Sequence, residues 1–89
     1  MDETMLIQEI QSAVKSENAI LGYRKSLQYL KSGSPKMVVM ANNIQDNKKR
    51  EIEHDAKIGN TSLEVFDGSS KDLGVICGKP FPVSVIVIK

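Results

Sequence analysis

A helical and a strand-like apolar pattern take turns along this chain, four times each, with little else between them. Leu6, Ile10, Ala13 and Val14 recur at helical spacing, so about 3–16 reads as an amphipathic helix. Residues 18–22 form a short apolar stretch suited to a strand. Tyr23, Leu27 and Leu30 then return at i, i+4 and i+7, in a helix that Gly33 stops and Pro35 follows. Residues 36–41, continuously apolar from Met37 on and β-branched in character, read as a buried strand. After a loop at 42–45, Asp46 is the expected N-cap of a third helix. Ile52 and Ala56 supply its apolar side, with Ile58 as a further candidate, and Gly59 and Asn60 end it. Residues 61–66 read as a strand closed by the Asp67–Gly68 turn pair. Ser69 with Asp72 resembles a capping box for a short helix reaching Cys77. The stiff loop 78–82 leads into a last strand, 83–88.

Each strand follows a helix. This order implies an α/β sandwich with helices on both faces of a largely buried sheet. The 89 residues suffice for a single domain, 1–89, with no linker and no internal repeat. A hydrophobic content of 40% is enough for a packed core and argues against disorder. No apolar run approaches the roughly 20 residues needed to cross a bilayer. The acidic, amphipathic start is unlike a signal peptide, so an intracellular location is expected. A single cysteine, Cys77, excludes an internal disulfide and agrees with a reducing compartment.

The net charge of +1 names no partner, but its distribution is uneven. Residues 1–17 hold four acids against one lysine, whereas 18–36 hold Arg24, Lys25, Lys31 and Lys36 with no acid. Arg24 and Lys25 also stand where a helix begins, directly after Gly22. Lys48, Lys49 and Arg50 stand at the opening of the third helix, with Asp46 as counterweight. Helix N-termini carry partial positive charge, and a cation there costs about 0.3–1 kcal/mol. The sign reverses when an anion docks, because helix N–H groups and side-chain cations then act together. In α/β folds these strand-to-helix junctions lie along the ligand-binding edge of the sheet. Two basic junctions on one edge suggest a polyanion. The alternative is that these lysines and arginines only keep the surface soluble.

Phe81 adds to this, in a chain whose other aromatics are Tyr23, Tyr29 and Phe66. Its loop holds Lys79, Pro80 and Pro82, so the backbone is stiff and a core aromatic is unexpected. An exposed aromatic beside a cation is what unpaired RNA bases stack on. A ring folded back on the sheet edge is equally compatible with the sequence.

Catalysis has little to work with. A Cys77 nucleophile needs a base, and the one histidine, His54, sits among charged residues on a surface helix. Cys77, between Ile76 and Gly78, reads as a small core residue. No Gly-rich phosphate loop or metal-ligand spacing occurs, so no enzyme activity, cofactor or metal is expected. A protein-binding module is the other alternative, with Met5, Leu6, Ile7 and Ile10 extending an apolar face beyond the core.

Several blocks together resemble a known family. Residues 20–33 (ILGYRKSLQYLKSG), 36–43 (KMVVMANN), 51–56 (EIEHDA) and 71–81 (KDLGVICGKPF) occur in the order seen in archaeal and eukaryotic-type large-subunit ribosomal protein thirty. The resemblance covers nearly the whole chain. It implies a three-layer α/β/α sandwich with a four-stranded mixed sheet, as in the kink-turn-binding RNA proteins. The last strand is then antiparallel and inserted between the first two, which brings the Phe81 loop beside 22–25 and 42–43. By position, Gly22, Arg24, Asn43, Lys48, Phe81 and Val83 match the family's RNA-contact sites. In the mechanism this implies, Arg24, Lys25 and Lys48 hold phosphates, while Gln28, Asn42, Asn43 and Phe81, with Lys79 beside it, read or stack unpaired bases. General kink-turn binders carry Asn-Glu after the glycine and a lysine four residues after that Asn. Here Arg24, Lys25 and Gln28 stand instead, which favours a ribosomal site over a non-ribosomal kink-turn protein. The partners so implied are large-subunit ribosomal RNA and neighbouring ribosomal proteins, on cytoplasmic ribosomes and with no membrane. When free the protein is expected to be a monomer.

Overall fold

The structure is a computed structural model that describes residues 2–33 and 35–89. The elements alternate as α1 (Glu3–Lys15), β1 (Ala19–Leu21), α2 (Tyr23–Ser32), β2 (Met37–Ala41), α3 (Asp46–Ile58), β3 (Ser62–Phe66), α4 (Ser70–Ile76) and β4 (Val85–Ile88). The strands form one mixed sheet in the order β1-β4-β2-β3. β4 runs antiparallel to both β1 and β2, and β2 runs parallel to β3. The insertion of β4 between β1 and β2 is the topology that the family resemblance implies.

Strand alternation divides the core between the two faces of the sheet. Met37, Val39, Ala41, Ile86, Ile88 and Phe66 face α1 and α4, where Leu6, Ile10, Ala13, Leu73 and Cys77 meet them. Val38, Met40, Val85 and Val87 face α2 and α3 and pack on Leu30 and Ile52. Both central strands are therefore buried on both sides, which is why 37–41 and 85–88 read as unbroken apolar runs. The apolar face of α1 is engaged in this core and leaves Met5 exposed.

Local signals account for most helix ends. Asp2 caps α1 by accepting from the Met5 N–H at 2.8 Å. Ser69 and Asp72 form the expected capping box on α4. α3 departs from expectation: Gln45 is its N-cap, without a side-chain hydrogen bond, and Asp46 is the first helical residue. At that position its carboxylate faces the helix dipole without closing the cap. Ile58 is also corrected, because at 72% exposure it lies on the open side of α3's last turn. β4 starts later than expected because the Val83 N–H donates to the Ser70 carbonyl at 2.9 Å, on α4 instead of the sheet.

Candidate nucleic-acid interface

The carboxyl ends of β1, β2 and β3 and the entry to β4 lie on one edge of the sheet, where α2, α3 and α4 begin. Gly22 makes the first of these junctions. Its φ of 100° and ψ of 153° belong to a region that residues with a Cβ scarcely enter. Its N–H donates to the Val85 carbonyl at 2.9 Å and its carbonyl accepts from the Ser26 N–H at 3.1 Å. The chain thus passes from sheet to helix in one residue, and Arg24 and Lys25 fall in a first turn that contains no acid.

Phe81 is 51% exposed and does not fold into the core. It shares an open cleft of about 540 Å³ with Lys79, Lys25 and the outer strand β1. A second cleft, of about 350 Å³, continues past Ile20 along α2 between Lys25, Gln28 and Tyr29. The two basic segments, distant in sequence, therefore meet along the unpaired side of β1. Gly74 holds the aromatic loop in place: a Cβ there would stand 2.2 Å from the Phe81 carbonyl oxygen, so α4 and the loop touch backbone to backbone. A left-handed Gly78 ends α4, with its N–H donating to the Val75 carbonyl at 2.9 Å and that of Lys79 to Gly74 at 3.0 Å.

The exposed asparagines occupy the middle of the edge. Asn43 Oδ1 accepts from the Ser70 N–H at 2.9 Å. That leaves the Asn43 amide with donors to offer. The Asn42 N–H donates to the Gly68 carbonyl at 2.9 Å. Ser70 thereby links Asn43 to Val83 and the Phe81 loop. Val83 differs from the other expected contacts: it is 1% exposed and part of the core, so in this conformation its side chain supports the loop from beneath.

Lys48 lies half-buried with its Nζ 5.2 Å above the centre of the Tyr23 ring. The Tyr23 hydroxyl donates to Glu51 Oε2, and Lys31 Nζ lies 4.0 Å from Glu51 Oε1. Hydrogen bonding to the Glu51 carboxylate, with partial burial, pushes the Tyr23 hydroxyl up to about 12. Lys36, the remaining cation of 18–36, is tied at 2.6 Å to Glu9 on the opposite edge. Among the described residues, Arg24, Lys25, Lys48 and Lys79 have no carboxylate within 4.0 Å. The edge thus presents uncompensated cations, amide donors and one aromatic ring.

Cys77 and His54 cannot act as a nucleophile and its base. Cys77 belongs to the core on the α1/α4 side, and His54 is exposed on α3, across the sheet. Burial also pushes the Cys77 thiol up, against a smaller opposing effect of the Lys79 ammonium. Ser70, Gly74 and Tyr23 are absent from the set that the sequence suggests. Ser70 and Gly74 act through backbone contacts with residues far along the chain, and Tyr23 looks in sequence like an ordinary member of an apolar helix face.

Sandwich and edge together define an α/β/α protein whose sheet edge gathers unpaired cations, amides and an exposed ring. The chain belongs to the ribosomal protein L7Ae/L30e/S12e/Gadd45 family, whose model matches residues 5–89. Over 80 residues it is 42% identical to large ribosomal subunit protein eL30 of Methanothermobacter thermautotrophicus, covering 90% of this chain and 82% of that one. The same-named protein of Saccharolobus solfataricus is 38% identical over 80 residues, 90% of this chain and 74% of that one. Among solved structures, a Giardia lamblia 15.5kD RNA binding protein superposes with a TM-score of 0.81 at 17% identity, covering 96% of this chain and 71% of that one. A Bacillus halodurans protein of unknown function gives 0.84, also at 17% identity, over 93% and 82% of the two chains. At that identity these two likenesses speak for the fold alone.

Proposed function

We propose that this protein is a structural, non-enzymatic component of the large ribosomal subunit that binds a kinked or internal-loop element of its ribosomal RNA. One observation carries the reading: Lys25 and Lys79, neither paired with a carboxylate, converge with the exposed Phe81 along the open side of β1, and Arg24, also unpaired, adjoins Lys25 in the first turn of α2. Cations at the start of α2 are unfavourable against the helix dipole until a phosphate arrives. Arg24, Lys25, Lys48 and Lys79 hold phosphates and set register. Phe81 stacks on an unpaired base, and Gln28, Asn42 and Asn43 read base edges that an A-form major groove would hide. Large-subunit eL30 proteins as relatives favour this reading over a non-ribosomal kink-turn binder, and so do Arg24, Lys25 and Gln28 in place of the kink-turn residues. On this reading the protein works on cytoplasmic ribosomes, as a monomer before assembly and with ribosomal proteins as neighbours afterwards. The test is binding to an internal-loop RNA from the large subunit and to a perfect duplex of equal length, over a range of salt. The reading requires clear preference for the loop; equal affinity for both would overturn it.

A further inference from the structure

Among the described residues, Lys48 is the one cation of this edge that another side chain holds in place, and that side chain is an aromatic ring. A carboxylate partner would restrain the ammonium equally well but would neutralise it and compete with phosphate. A ring restrains it by quadrupole attraction and leaves the full charge available. The nearest candidate for neutralisation is Glu51, three residues further along α3 and therefore on the same helix face. In the structure Glu51 is turned to the Tyr23 hydroxyl and to Lys31 on α2. Tyr23 thus performs two separable tasks: its ring seats Lys48 at the edge, and its hydroxyl diverts Glu51 from it.

From this arrangement we infer that Tyr23 is a positioning residue for RNA binding, keeping Lys48 ordered and unneutralised at the mouth of the interface. The inference rests on the RNA-binding reading above and adds a residue that does not itself touch RNA.

The experiment measures affinity against salt for the internal-loop RNA and its duplex control, with wild type, Lys48→Gln, Glu51→Gln, Tyr23→Phe and Tyr23→Phe/Glu51→Gln. Tyr23→Phe keeps the ring and frees Glu51, so affinity falls about two- to fivefold, the range expected of one exposed charge interaction. Its salt slope falls toward that of Lys48→Gln, which loses about one phosphate contact and flattens by about 0.7–0.9. Adding Glu51→Gln removes the competing charge and restores both affinity and slope. A merely structural role for Tyr23 gives no rescue beyond the gain that Glu51→Gln alone brings to the wild type, because the double variant has lost both halves of the hydrogen bond. Wild-type slope and affinity in Tyr23→Phe, or failure of Glu51→Gln to restore them, overturns the positioning role alone. Wild type that binds loop and duplex equally removes the RNA reading and this inference together.

Discussion

Phe81 stays exposed because of what lies under it. Val83 fills the core beneath the loop, and Gly74 lets α4 approach the Phe81 backbone until no Cβ fits between them. The ring is therefore kept out of the core and lies between the Lys25–Lys79 cleft and a second cleft lined by Val75, Pro80 and Pro82. Phe81→Ala is expected to weaken binding of the internal-loop RNA by about 1–3 kcal/mol, the range for one base-stacking aromatic. The thermal midpoint should move much less, since a half-exposed ring contributes little to folding. Paired titration and melting curves check this, and a melt that collapses with the affinity would make Phe81 a core residue. Tyr23 gives a second prediction at the same scale. Its protonated form is the one favoured in the folded state, with an upward shift from 10 to about 12. The stabilisation it contributes is therefore fully present below pH 10 and is lost as pH rises through about 12. Tyrosinate absorbance should show a component titrating near pH 12 that disappears in Tyr23→Phe.

The elements were legible where local chemistry sets them. Asp2, the Ser69–Asp72 box and the apolar spacing of α1 fix helices from residues adjacent in sequence. α3 was less legible, because Asp46 is a good capping residue that the backbone uses one position too late, and because Ile58 continues the apolar spacing into a turn with nothing to pack on. The contact between Gly74 and the Phe81 carbonyl was not legible at all, since it depends on how α4 and the following loop pack. Gly74→Ala should cost about 1–3 kcal/mol by overpacking. Because the backbone of the loop has to shift, RNA affinity should fall with stability, unlike in Phe81→Ala. The end of α1 gives the reverse case. Glu17 sits at φ 62°, and its N–H donates to the Val14 carbonyl at 3.2 Å while the Asn18 N–H donates to Ala13 at 2.7 Å. This is the closing turn that glycine usually occupies. Glu17→Gly should stabilise the fold by about 1 kcal/mol through relief of the left-handed strain. Chemical denaturation measures it, and a lower midpoint would contradict the assignment.

At the scale of the whole molecule, the site exists because β4 lies between β1 and β2. That order brings residues 79–83 to the same edge as 22–28, although neither segment points to the other by its local pattern. Composition gave two separate hints, helix-end cations and an isolated phenylalanine, and only the resemblance to a family placed them together. The charge segregation of the sequence is likewise resolved in space. Lys36 joins Glu9 at the far edge, while Arg24 and Lys25 remain unpaired at the near one. A strand of five residues separates these edges by about 15 Å, more than a Debye length at physiological salt. Cations at the two edges should therefore differ in their effect on RNA binding although they are chemically alike. Four phosphate contacts, one each for Arg24, Lys25, Lys48 and Lys79, correspond to a slope of about −3 in log affinity against log salt. Replacing Arg24, Lys25 and Lys79 together by glutamine should flatten that slope by about 2 and weaken loop RNA and duplex alike, because phosphate contacts carry no sequence information. Lys36→Gln, which removes a cation from the far edge, should leave the slope unchanged. If Lys36→Gln flattened it as much per charge as the triple variant does, the protein would be responding to its total charge, and no particular edge of the sheet would be the binding surface.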